Sequence, residues 1–211
     1  MEFSAAIFDL DGTLIDSNSV WEKIDRILLQ KRGINCTDEF VHRLTAMTYE
    51  DAAEEMHKLG VKESTEELIK EFNALAVSEY RYNIFLKEGV RDYLDYLKRR
   101  GIKLAVATAS PDSLYEPVLR NNHVYSFFDV FCTTGKVGKS KDFPDIYLHA
   151  ASELGAAPSE CVVFEDVLKG IISAKNAGMK AVGVYDEYSE EDIVTIRNAA
   201  DKFIFNFFEM M

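Results

Sequence analysis

The feature that most constrains this chain is a recurrence of short, apolar runs, rich in β-branched and aromatic residues, separated by helical patterns. The runs are Ser4–Leu10, Lys103–Ala107, Phe128–Phe131, Cys161–Phe164, Ala181–Val184 and Phe203–Phe205. They read as strands buried on both faces of a parallel sheet. Between them, Gly89–Arg100 places Val90, Tyr93, Leu94 and Leu97 on one stripe and stops at Gly101. Ile146–Leu154 and Gly170–Ala177 behave likewise, the latter ended by Gly178. Strand, helix and strand in alternation from residue 89 onward imply right-handed βαβ units and an α/β fold.

One interval breaks that rhythm. Residues 17–85 contain no strand candidate. Ser19-Val20-Trp21-Glu22 and Ser64-Thr65-Glu66-Glu67 have the spacing of capping boxes, and Gly33 and Gly60 sit where helices should end. The interval therefore reads as a helical insertion after the first strand. The expected division is 1–16 with 86–211 as the core and 17–85 as a small helical domain.

Charge narrows the choice of partner. Against 24 basic side chains stand 36 acidic ones, for a net charge of −12. That field repels nucleic-acid backbones and anionic headgroups, so neither nucleic acid nor membrane is an expected partner. A small phosphorylated ligand stays possible, because local cations or a metal override the global charge. Cys36, Cys132 and Cys161 are odd in number and widely spaced, which suggests no disulfide framework. Met1-Glu2-Phe3-Ser4 has no basic leader character and no apolar run approaches a membrane span. A reduced, cytoplasmic chain is expected.

The chemistry concentrates at strand ends. Phe8-Asp9-Leu10-Asp11-Gly12-Thr13-Leu14-Ile15-Asp16 closes the first run with two carboxylates that alternation aims the same way. Open α/β sheets place ligands at the carboxyl ends of their strands. A calcium loop is excluded, since glycine falls at its fourth position and leucine at its sixth. Val163-Phe164-Glu165-Asp166 closes another run in the same manner. Four carboxylates at one sheet edge repel one another, and a hard divalent cation such as Mg²⁺ resolves the conflict. Leu104–Ser110 ends in hydroxyls, and Lys136, Lys139 and Lys141 could neutralise a bound phosphate. Gly135-Lys136-Val137-Gly138-Lys139-Ser140 imitates a P-loop, but Thr133 stands where its first glycine belongs.

In combination these pieces resemble the haloacid dehalogenase superfamily, in the subgroup with a helical cap after the first strand. The match runs through Asp9–Asp16, Thr108, Lys141–Tyr147, Phe164-Glu165-Asp166, Gly170 and Ala177-Gly178-Met179, in family order. The resemblance implies a Rossmann-like parallel-sheet core of three αβα layers with an inserted all-helical cap. It implies Asp9 as a nucleophile forming an aspartyl-phosphate, and Asp11 as the acid and base. Asp9, the Asp11 carbonyl and Asp166 would ligate Mg²⁺, with Glu165 in or beside that set. Thr108 and the Ala109 N–H would hold phosphoryl oxygens, and Lys141 would balance charge. Ser17, Trp21 and Tyr49 are the candidate specificity positions.

Within that resemblance, Asp11 favours phosphoryl transfer over dehalogenation, which has no leaving oxygen to protonate. Trp21 and Tyr49 fall near positions where mutases of the β-phosphoglucomutase type carry a histidine and a basic residue, and the segment Thr45–Asp51 lacks a usual glycine. The expectation is a phosphatase of a small phosphorylated metabolite, a sugar phosphate first, acting as a monomer or weak homodimer. The alternatives are a phosphomutase and a non-catalytic binding module. Lys87-Glu88-Gly89 lacks the proline that many relatives carry before the glycine, which suggests a looser second linker. Asp186–Asp192 reads as a solvated loop and helix start.

Overall fold

The computed structural model describes residues 2–45 and 47–211, and the side chains of residues 190–192 lie outside that description. Met1 and Ala46, read above within the leader stretch and the Thr45–Asp51 segment, therefore lie outside the described residues. The chain divides into two compact units, Met1–Asp16 with Ile84–Met211, and Ser17–Asn83.

The first unit begins with β1 (Ala5–Phe8) and resumes after the insertion with α5 (Val90–Arg99), whose numbering leaves α1–α4 to the helical unit. Then come β2 (Lys103–Thr108), α6 (Asp112–Asn121), β3 (Val130–Thr133), α7 (Thr134–Val137) and α8 (Asp145–Leu154). The unit closes with β4 (Cys161–Glu165), α9 (Leu168–Asn176), β5 (Lys180–Val184), α10 (Ile193–Ala199) and β6 (Lys202–Ile204). All strand pairs are parallel in the order β3-β2-β1-β4-β5-β6. This is the expected three-layer Rossmann-like core, with helices on both faces and an all-helical insertion after β1.

Alternation along β1 feeds both faces. Ala5 and Ile7 join Ala105, Val163, Tyr147 and Ile171 in one core layer. Phe8 enters the other, where its ring stacks on Phe164 at 4.6 Å and meets Tyr93 edge-on at 6.4 Å. Phe207 of the C-terminal turn completes that aromatic group, 5.6 Å from Tyr93. Truncating such a buried ring to alanine costs about 3–5 kcal/mol.

Register places the chemistry. Phe8 pairs with Val106 on one side and Phe164 on the other, so Asp9 falls level with the ends of β2 and β4. β3 is shifted from the expected Phe128–Phe131. Asp129 accepts the Leu104 N–H on its carboxylate at 2.8 Å, and Phe128 is buried beside Phe8, so the ladder begins only at Val130. The last strand likewise excludes Phe205, which is half exposed.

The second unit consists of α1 (Asn18–Gln30), α2 (Asp38–Thr45), α3 (Tyr49–Lys58) and α4 (Thr65–Tyr82). Ser64 and Glu67 form the expected capping box. The Ser19 box does not form, because Ser19 lies inside α1, whose N-cap is Ser17. Gly33 and Gly60 close the ends of α1 and α3 through N–H bonds to Gln30 and His57. Among the described residues, no helix is long and apolar enough to cross a membrane.

Candidate active site

The loop after β1 carries Asp9, 5% exposed, whose N–H bonds to the Phe164 carbonyl at 2.9 Å. That bond continues the β1–β4 ladder by one residue and holds Asp9 beside the end of β4. Glu165 and Asp166 follow there, both buried. One oxygen from each of Asp9, Glu165 and Asp166 lies within 4.8 Å of the others. The Asp11 carboxylate stands outside this trio; its Oδ2 accepts the Ser110 hydroxyl at 2.7 Å.

Lys141, from the segment before α8, is the cation that reaches the cluster. Its Nζ donates to Asp9 Oδ1 and, at 2.7 Å, to Glu165 Oε1. Lys136 and Lys139 pair with Asp112 and Asp145 instead, at 3.1 and 2.6 Å. α7 follows β3 directly, so Gly138-Lys139-Ser140 lies past that short helix and the P-loop imitation is a coincidence of letters.

Partners missed by the sequence reading hold the carboxylates in place. Tyr147 donates its hydroxyl to Glu165 Oε1 at 2.8 Å, and Thr13 donates to Asp166 Oδ1 at 3.2 Å. Val167 N–H reaches Glu165 Oε2 at 3.3 Å. Gly170 is required by this packing, since a Cβ there would lie 2.4 Å from Glu165 Cδ. Tyr147 had a faint signal, at the end of the Lys141–Tyr147 match, but its hydroxyl cannot be separated from an apolar stripe by spacing alone.

Lys87, from the Lys87-Glu88-Gly89 segment, is anchored within the α/β unit. Its Nζ donates to the carbonyls of Gly12 and Tyr185 at 2.7 and 2.6 Å, and to Asp186 Oδ2 at 2.8 Å. It ties the Asp9–Gly12 loop to the end of β5. Asp186, read as part of a solvated run, is 4% exposed.

The charges are out of balance. Burial, reinforced by Glu165, Asp166 and Asp11 against the opposing pull of Lys141, raises Asp9 well above the usual carboxylate range. Burial, then Glu165 and Asp186, pushes Asp166 up to about 7. For Lys141, burial lowers the pKa, but Asp9 and Glu165 more than offset it and hold the ammonium protonated. Three buried carboxylates around one lysine form an all-oxygen donor set that suits a hard divalent cation.

β2 supplies the third side. Thr108 is fully buried, and its Oγ1 accepts the Ser110 N–H at 2.9 Å. Its hydroxyl hydrogen is thereby left to donate elsewhere. Ala109, between these two, is exposed. The other named positions belong to the helical unit: Ser17 is buried at the start of α1, while Trp21 and Tyr49 each pack on Phe72, at 5.8 and 4.7 Å.

A family model described as haloacid dehalogenase-like hydrolase matches residues 6–184. A phosphorylated carbohydrates phosphatase of Thermotoga maritima is 32% identical over 184 residues, covering 84% of this chain and 83% of that one. Hexitol phosphatase B of Escherichia coli is 29% identical over 191 residues, covering 89% and 86%. Among solved structures, a putative beta-phosphoglucomutase from Thermotoga maritima superposes with a TM-score of 0.86 at 28% identity, covering 97% of this chain and 94% of that one.

Proposed function

Because the chain belongs to the haloacid dehalogenase-like hydrolase family, we propose that it is a Mg²⁺-dependent phosphatase of small phosphorylated metabolites, sugar phosphates first. The observation that carries this reading is the Lys141 ammonium bridging Asp9 and Glu165 beside Asp166. A nucleophilic carboxylate needs its charge balanced while a phosphate dianion approaches, and Lys141 supplies that balance without blocking the second Asp9 oxygen.

In the proposed reaction an Asp9 oxygen attacks phosphorus, the P–O bond to the leaving group breaks, and an aspartyl-phosphate forms. Asp11 gives its proton to the leaving oxygen. It then takes a proton from the water that attacks phosphorus, releasing inorganic phosphate and restoring Asp9. The Ser110 hydroxyl aims Asp11. Thr108 Oγ1 and the Ala109 N–H would donate to phosphoryl oxygens, and such positioning is most of what phosphoryl transfer asks of a protein. Asp9, Asp166 and the Asp11 carbonyl would hold Mg²⁺, with Glu165 completing the acidic set. Bound there, the ion would neutralise charge on the phosphoryl oxygens.

The relatives named as phosphatases support hydrolysis over mutase chemistry. So does the absence of a basic residue at Trp21 and Tyr49, since a neutral tyrosine cannot pair a second phosphate as arginine does. The test is inorganic phosphate release from a panel of sugar and small-acid phosphates, with Mg²⁺ and with chelator. Metal-dependent release that vanishes in Asp9→Asn is the expected result. Isomerisation of glucose 1-phosphate without release would establish the mutase. No turnover of any substrate, with binding unaffected by Asp9→Asn, would point to a binding module.

A further inference from the structure

Lys87 stands where the loop after β1 meets the segment that returns from the helical insertion. Its N–H donates to the Leu14 carbonyl at 3.0 Å, and the Asp16 N–H donates to the Phe85 carbonyl at 3.0 Å, on either side of an antiparallel Ile15–Leu86 bridge. That pairing sets Lys87 beside the loop. Its ammonium has three hydrogens, and three acceptors meet it: the carbonyls of Gly12 and Tyr185, and Asp186 Oδ2. A lysine that gripped phosphate would keep a hydrogen for it. Lys87 has none to spare.

The contact with Gly12 is the one that bears on chemistry. Gly12 is buried and turns the chain with a φ of 76°, in the left-handed region that glycine enters freely. Glycine's own sterics do not hold such a turn, so its hydrogen bonds must. Its N–H donates to the Ile15 carbonyl at 3.0 Å, and its carbonyl accepts the Lys87 ammonium at 2.7 Å. One rigid peptide plane contains that N–H and the Asp11 carbonyl. The next peptide leads into Thr13, whose hydroxyl donates to Asp166 Oδ1 at 3.2 Å. A rotation at Gly12 therefore displaces a backbone oxygen and loosens a carboxylate that the phosphatase reading assigns to Mg²⁺. Asp186 has a different part: it balances the ammonium's charge, and its Oδ1 accepts the Tyr188 N–H at 3.0 Å.

We propose that Lys87 is a positioning residue, its ammonium acting through the Gly12 carbonyl to hold the Asp11 carbonyl and the Thr13–Asp166 pair in the geometry that takes Mg²⁺. The proposal rests on the metal-dependent reading of the site and adds to it a residue that touches neither metal nor substrate. Charge gives it a distinctive sign. Deleting a cation this close to a proposed ligand strengthens Mg²⁺ binding by electrostatics alone, whereas loss of positioning weakens it.

Mg²⁺ alone is titrated by calorimetry into the full protein at pH 7.5, as wild type, Asp186→Asn, Lys87→Met and Lys87→Met/Asp186→Asn. The decisive comparison sets the double variant against Asp186→Asn, because both lack the buried aspartate charge and differ only in the ammonium. The double variant is expected to bind Mg²⁺ about tenfold more weakly, the usual cost of losing a group that supports metal ligands. Thermal melting beside each titration reads stability, which the double variant regains relative to Lys87→Met while Mg²⁺ affinity does not return. Equal or tighter Mg²⁺ binding in the double variant than in Asp186→Asn would overturn the proposal. So would recovery of affinity in step with stability, or no Mg²⁺ binding to wild type. If wild type binds Mg²⁺ yet releases no phosphate from any substrate, the phosphatase reading fails, and these affinities still decide the role of Lys87.

Discussion

The Ser110 hydroxyl donates to Asp11 Oδ2 at 2.7 Å, joining two loops that lie 99 residues apart in sequence. The bond orients the carboxylate proposed to move the proton, while the Ser110 N–H is anchored on Thr108 at 2.9 Å. Ser110→Ala is expected to lower kcat about tenfold with KM nearly unchanged, because it removes orientation rather than substrate binding. Ser110→Thr, which keeps the hydroxyl, should recover most of the rate. Initial rates of phosphate release check both.

Asp9→Asn should remove phosphate release by on the order of 10⁴-fold or more, as loss of a nucleophile does. It should not lower the melting temperature of the metal-free protein. Burial and its acidic neighbours already disfavour the charged form of Asp9, and Lys141 keeps Glu165 as a partner. Thermal melting beside the activity assay tests this; a large loss of stability would mean that the Lys141 contact is chiefly structural.

Gly170→Ala places a methyl group 2.4 Å from Glu165 Cδ, and the carboxylate must move. Overpacking of this kind costs about 1–3 kcal/mol. Because Glu165 also holds Lys141, the Mg²⁺ concentration giving half-maximal rate should rise as well. Urea unfolding and a Mg²⁺ titration of the rate measure the two effects separately.

Lys87→Met leaves Asp186 buried without its cation, and breaking a buried pair in this way costs about 3–5 kcal/mol. The Lys87→Met/Asp186→Asn double variant should regain a large part of that loss, since the buried charge that the ammonium met is gone as well. A double-mutant cycle on unfolding free energies gives the coupling.

Asp25 gives the helical unit a pH dependence of definite sign. Burial raises its pKa from 3.8 to about 6. The folded protein therefore holds this proton more tightly than the unfolded chain, and stability falls as pH rises from about 4 to about 6, then levels. Asp25→Asn should abolish that fall and add on the order of 2–3 kcal/mol at pH 7, with little effect at pH 4. Urea unfolding followed by Trp21 emission across this range reads it directly.

Much of the α/β unit was legible because its signals are local. Strands buried on both faces must be apolar throughout, so their residues announce them, and helices such as Val90–Arg99 carry a stripe with a glycine stop. The acidic ends of β1 and β4 were legible for the same reason, as carboxylates abutting apolar runs. Boundaries failed where a partner distant in sequence decides. Asp129 caps the start of β2 and shifts β3, and Ser17 rather than Ser19 begins α1.

The sequence by itself determined the α/β alternation, the helical insertion, and which residue types stand at the strand ends. These follow from periodicity and from steric and solvation preferences that act over a few residues. Tertiary structure alone decided that Ser110 holds Asp11 and that Lys87 and Asp186 pair in the interior, and it set the Lys141 singled out by the family resemblance against Asp9 while Lys136 and Lys139 pair elsewhere. It also placed Asp25 against a pocket formed by separate helices. The distinction is physical: strand register and helix packing bring together atoms that no local preference relates, and the strength of a charge or a hydrogen bond depends on burial that exists only once those elements meet.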